Sequence, residues 1–183
     1  MNLNFATTAL LSVSLLACGG SDAEPPSQPP PVTSGDGCVR DELEPDFEPT
    51  PLQGAGVDAE GKLAPGTYLV SSTYIHRKGT PESDAKFGEL VGPIVQALQS
   101  QPGLVAFQLG TSASCSAGRT LTVWEDEEAM YQFVGSPAHA EAMARTGEVS
   151  RGDSVVTSWQ DDERGATWEK ALEKLAAETG PTY

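Results

Sequence analysis

The stretch TLTVWEDEEAMYQFVGSPAHAEAM, Thr120 to Met143, decides the reading of this chain. It opens on alternating β-branched and apolar residues, the pattern of a half-buried strand. Trp124 ends that run, and the acids Glu125 to Glu128 then suit the positive end of a helix dipole. Ala129, Met130, Phe133 and Val134 recur at helical spacing and form the buried side. Ser136-Pro137 restarts a helix with a fresh cap, Ser as N-cap and Pro in the first turn. The stretch predicts strand, helix and second helix, and places His139 one turn before Met143 on the same side.

Working outward, YLVSSTYIH (Tyr68 to His76) reads as a strand. Thr80-Pro81 starts a helix whose inner side is Phe87, Leu90, Val91, Ile94 and Leu98. Gly92-Pro93 inside it predicts a kink. Pro102-Gly103 turns the chain into the strand LVAFQL (Leu104 to Leu109), and Gly110 to Gly118 is a loop. SVVTSW (Ser154 to Trp159) is a fourth strand. Thr167 to Glu178 is a last helix, with Gly180-Pro181 as its stop. The order is β-α-β-β-α-β with an additional C-terminal helix. That predicts an α+β, ferredoxin-like fold of four antiparallel strands with both long helices on one face. Leu69 and Ile75 alternate with Tyr68, Val70 and Tyr74, so both faces of the sheet carry apolar groups. The helix-free face needs a cover, and a second copy of the sheet is the simplest one. A homodimer is therefore expected.

The N-terminal third reads differently. Ala6 to Ala17 is apolar and uncharged, and too short for a permanent span. Residues 1–17 are expected to be a signal peptide. Leu15-Leu16-Ala17-Cys18 resembles the lipobox of bacterial lipoproteins, which implies an acylated Cys18 as mature N-terminus. The alternative is an ordinary signal peptide with a chance cysteine. The resemblance implies export to the cell envelope and attachment through lipid, to the outer membrane before the inner. Residues 18–66 hold eight prolines from Pro25 to Pro51 and few aliphatics. Such a segment buries too little to offset about 1–2 kcal/mol of backbone entropy per residue. It is expected to be an acidic tether, mostly unfolded, with parts of its second half lying against a domain at 67–181.

Net charge is −15, from 26 acids against 11 bases. Both the tether and the domain are acidic and neither has a basic patch, which argues against nucleic acid and against adhesion to anionic lipid. With Cys18 lipidated, Cys38 and Cys115 remain in a disulfide-permissive compartment. Pairing them would pin the tether to a hairpin loop, and two free thiols are the alternative. No metal site is expected, because the two histidines stand 63 positions apart with no ligand set around either. Gly54-Ala55-Gly56 lies in the tether and opens no helix, so no phosphate loop is read there.

From Tyr68 to Trp159 the chain resembles the dimeric α+β barrel superfamily and, within it, the antibiotic-biosynthesis monooxygenase-like domains. The pieces that carry this are Pro102-Gly103, the stretch Thr120 to Met143, and SVVTSW. The resemblance implies a dimer with a pocket in each subunit between sheet and helices. In the haem-degrading branch that pocket uses an asparagine, a tryptophan and a histidine. By register these fall on Ser72, Phe133 and Met143, and none matches. No cofactor is expected, and haem is the least favoured alternative. Three readings stay open. One is a domain that binds a small apolar or aromatic ligand without turnover. The second is a cofactor-independent monooxygenase acting on an aromatic or quinol-type substrate, with His139 as base and Tyr74 orienting the substrate. The third is haem binding or degradation. His139 packing its own core, Tyr74 as a half-buried strand aromatic and His76 exposed at a strand end are the structural alternatives.

Overall fold

The computed structural model describes residues 38–183. The expected signal peptide, Cys18 and the first part of the expected tether lie outside them. Four long strands form the sheet: β2 (Thr67–His76), β3 (Leu104–Ser112), β4 (Ala117–Trp124) and β5 (Val155–Asp162). A two-residue strand, β1 (Glu48–Pro49), joins at one edge. The order is β1-β3-β4-β2-β5, and every pairing is antiparallel. The helices are α1 (Pro81–Gln99), α2 (Glu127–Val134), α3 (Pro137–Ala144), α4 (Thr146–Val149) and α5 (Trp168–Ala177). Without β1 and the single turn α4, this is the expected ferredoxin-like β-α-β-β-α-β order with an extra C-terminal helix.

Local sequence explains the boundaries. Thr80 and Ser83 cap α1 reciprocally: Ser83 N–H donates to Thr80 Oγ1 at 3.2 Å and Thr80 N–H to Ser83 Oγ at 3.3 Å. Asp126, Ser136 and Thr167 cap α2, α3 and α5 in the same way, each accepting from a backbone amide three residues on. α1 runs through Pro93 as one helix. Gly92 and Pro93 are exposed, so the carbonyl that proline leaves unpaired can turn to water.

Side chains alternate across the sheet as the pleat requires. Leu69 and Trp124 face the α1–α2 side and build one core with Leu98, Phe107, Met130 and Phe133. Val70, Leu121 and Trp159 face the other side and pack with Ala171 of α5. Tyr74, Ala117 and Val155 pack there with Cys38, Cys115 and Leu175. Ala106 and Val123 pack with Leu63. A register shift between Leu104 and Ala106 marks a bulge at Val105, which joins that last cluster beside Ala106.

Two expectations need correction here. The segment expected to be a mostly unfolded tether as far as residue 66 is laid along the sheet from residue 38 onward. Its composition is poor in aliphatics, as read, but it borrows an apolar surface that the strands already present. A disulfide joins Cys38 to Cys115. Backbone pairing holds Thr50, Gln53 and Gly56 to β3. Asp46 accepts from Ser112, Ala113 and Ser114. The Phe47 ring lies over Gly110, where a Cβ would stand 2.2 Å from two ring carbons. Phe47 also meets Trp168 of α5 edge-on, with centroids 5.1 Å apart. The second correction follows from the first. The helix-free face is not bare: this arm, residues 38–66, and α5 cover it, so the reason given for a twin sheet is removed.

Candidate functional site

On the helix side the site grows from the capped start of α3. Ser136 Oγ accepts from His139 N–H at 3.4 Å, which fixes the first turn. The imidazole then lies edge-on to Phe133, centroids 5.2 Å apart, and Phe133 lies 5.5 Å from Trp124. Trp124 Nε1–H donates to Thr122 Oγ1 at 2.9 Å, and Thr122 Oγ1–H donates to the Ser71 carbonyl at 3.3 Å. A continuous row thus runs from β2 through β4 and α2 to α3. His139 is half-buried, and burial pushes its pKa below the ordinary value of 6.5, opposed by a hydrogen bond that the ring donates to the Val134 backbone. The neutral ring can therefore serve as an acceptor near neutral pH. Met143, one turn on, is 40% exposed. No residue of α3 is fully buried, so this helix is the lightest part of the cover.

The strand candidates are elsewhere. Tyr74 is 1% exposed and sits on the arm side, under the Arg119 guanidinium at 4.5 Å. Ser72, also on that side, donates to the Thr120 carbonyl at 2.8 Å. Tyr74 and His139 therefore face opposite sides of the sheet, and Ser72 does not join Phe133 and Met143. Side chains alternate with period two, so a carry-over displaced by one residue changes the face of every strand candidate. The β2 residues that do face the helices are Leu69, Ser71, Thr73 and Ile75. Ser71 and Thr73 are the polar pair that the sequence reading missed. The buried status of Leu69 beside Trp124 could have flagged them, since Leu69, Ser71 and Thr73 share parity. With Ser72 turned away and no matching side chain at Phe133 or Met143, the residues do not fit the haem set.

His76 also differs from expectation. The expectation is an exposed strand end, whereas His76 is fully buried. Its Nδ1 lies 2.7 Å from Asp153 Oδ2 and its Nε2 lies 2.9 Å from Arg151 Nη1. A guanidinium only donates, so Nε2 accepts and Nδ1–H donates to the carboxylate. The ring ties the end of β2 to the loop before β5. Nothing local in the sequence announced this, because Asp153 lies 77 positions away.

A further missed residue is Arg119, 2% exposed on β4. Its Nε is 3.1 Å from both Glu44 carboxylate oxygens and its Nη2 is 3.0 Å from Oε1. Nη1 donates to the Arg40 carbonyl at 2.9 Å. Nη2 donates to those of Val39 at 3.0 Å and Glu42 at 2.7 Å. Arg119 gathers the first turn of the arm onto the sheet.

Two open clefts border the arm. One, of about 380 Å³, is lined by Gln53, Gln99, Gln101, Leu104 and Phe107 among others. The other, of about 410 Å³, is lined by Leu52, Lys62, Leu63, Glu163 and Arg164 among others. Neither is lined by His139 or Tyr74. Among the described residues no group of three or more His, Cys, Asp or Glu is placed to hold a metal ion, and no helix is long and apolar enough to cross a membrane.

The family model for antibiotic biosynthesis monooxygenase matches residues 73–145, from within β2 to the end of α3. Over those residues, less than half of its length, the chain is similar to that family, and its fold is ferredoxin-like. Among solved structures, a conserved protein of Methanosarcina mazei Go1 is similar at 14% identity and TM-score 0.45, over 50% of this chain and 90% of that one. A protein of Shewanella oneidensis is similar at 11% identity and TM-score 0.47, over 64% and 99%. A variant of SnoaB, a cofactor-independent oxygenase of Streptomyces nogalater, is similar at 17% identity and TM-score 0.42, over 50% and 90%. At these levels the likenesses say nothing about chemistry. No curated protein matches the chain.

Proposed function

We propose that the chain is an exported, lipid-anchored protein of the cell envelope whose domain binds a small apolar or aromatic ligand without turning it over. The observation that supports this over catalysis is the separation of Tyr74 from His139 by the sheet. A base and an orienting phenol on opposite faces cannot meet one substrate. The ligand seat is on the helix side, at the half-buried His139 ring, which lies over the packed rings of Phe133 and Trp124. Entry is past α3, which buries least. Ser71 and Thr73 supply the polar contacts from β2. Anchoring is through acyl groups on Cys18, as the Leu15-Leu16-Ala17-Cys18 run implies.

The second reading, a cofactor-independent monooxygenase, is favoured by the neutral, half-buried His139 and by the match over residues 73–145. In it, His139 takes a phenolic proton from the substrate before oxygen reacts, without Tyr74. One experiment separates the two. A naphthoquinol is titrated while tryptophan fluorescence and dissolved oxygen are followed together. Binding alone gives quenching that Phe133→Ala weakens, with no oxygen uptake above the spontaneous rate. Uptake that His139→Ala abolishes would replace the first reading by the second. Labelled palmitate incorporated by the native chain and lost in Cys18→Ser tests the anchor.

A further inference from the structure

The helix-free face of the sheet is the part of this fold most open to a partner, and here the chain itself fills it. Val70, Leu121 and Val123 are fully buried there, and Tyr74, Val155 and Trp159 are at most 7% exposed, all within one chain. The only exposed large apolar strand residue among those described is Val156, and it pairs with Thr73 on the opposite, helix side. The cover is shaped to its seat. Phe47 occupies the space that any side chain at Gly110 would need, and a Cβ at Gly54 would meet the Val105 carbonyl at 2.4 Å. It is also fastened at intervals: Cys38 to Cys115, Glu44 to Arg119, Asp46 to the β3–β4 turn, and Arg40 to the Glu178 carbonyl behind α5 at 2.9 Å. A stable dimer needs about 800 Å² per partner with an apolar centre. No such centre is available on this face while the arm is down.

We propose that the arm, residues 38–66, with α5, stands in for a second subunit's sheet, so that the protein is a monomer, and that lifting the arm creates a self-complementary face. Cys38–Cys115 and Glu44–Arg119 are the two fastenings that keep the face closed. This does not depend on which ligand the helix side takes.

The test is the molar mass of the full chain in neutral detergent, by light scattering with the detergent contribution subtracted, together with hydrogen–deuterium exchange. The expected result is one chain per particle at all protein concentrations, with the backbone amides of Thr50, Gln53 and Gly56 protected. The same measurements follow on Glu44→Ala with the disulfide reduced. There the arm amides should exchange at least tenfold faster and the mass should rise toward two chains with concentration. A native mass of two chains overturns the proposal, however the arm exchanges. So does a native arm that exchanges freely. If the reduced Glu44→Ala protein fails to fold, the native mass and exchange still decide the matter.

Discussion

Glu44→Gln is the sharpest probe of how the arm is held. The change keeps the side chain's size and removes its charge. Both side chains of the Glu44–Arg119 pair are 1% exposed, so the guanidinium would remain buried with three backbone carbonyls and the Tyr74 ring for company. Breaking a buried pair from one side costs about 3–5 kcal/mol, because one charge is left uncompensated. At roughly 2–4 °C per kcal/mol for a domain of this size, the melting temperature should fall by about 6–20 °C. The assay is thermal and urea unfolding followed by tryptophan fluorescence, with the disulfide intact, on Glu44→Gln and on Glu44→Leu combined with Arg119→Met. The double variant should recover part of the loss, since both charges leave together. Recovery stays incomplete because three carbonyls lose their donor. A loss below about 1 kcal/mol for Glu44→Gln is the size expected of an exposed ion pair. It would refute the claim that this pair is sealed and that the arm stays down in solution.

Three further outcomes are expected. Removing the disulfide with Cys115→Ser opens a loop between residues 77 apart, which on chain entropy alone costs about 4–5 kcal/mol; an unchanged urea midpoint with and without reductant would contradict it. Because burial holds the His139 pKa below 6.5, the unfolded chain takes up its proton first as pH falls. Stability should therefore decline as pH drops below 6.5, and His139→Gln should flatten that decline in unfolding curves across pH. Gly110→Val drives a side chain into the Phe47 ring, for a loss of about 1–3 kcal/mol, and Phe47→Ala in the same chain should restore most of it.

The secondary structure was legible because its signals are local. Caps at Thr80, Ser136 and Thr167, and the apolar spacing of α1 and α2, set those elements within a residue or two. β1 and α4 were not legible: one is two residues long and the other a single turn, too short to show a period. The arm escaped because its order is imposed from outside it. Phe47 and Leu63 are unremarkable in a proline-rich run, and they matter only because Gly110 and Val123 lie opposite them. The site was half legible. The row Trp124, Phe133, His139 follows from one contiguous stretch, whereas the choice of Ser72 and Tyr74 rested on a register that a single residue inverts. Arg119 looked like an ordinary strand-end base, and its role exists only once Glu44 has been folded back 75 positions onto it.

The placing of the disulfide has a mechanical consequence. Cys38 is where the described domain begins, and its bond fixes that point to the turn between β3 and β4. A pull arriving through residues 1–37 meets a covalent link before it can peel β1, Phe47 or Glu44 from the sheet. With the link closed, the chain between Cys38 and Cys115, 77 positions apart, cannot pay out under tension, and roughly 260 Å of contour stays withheld. With it open, the same tug would unzip the arm one contact at a time. Among the described residues, oxidised protein held at its two ends should therefore extend only beyond Cys115, and reducing agent should release the arm's share of the missing length as a separate, earlier, low-force event, the rest following when the sheet opens.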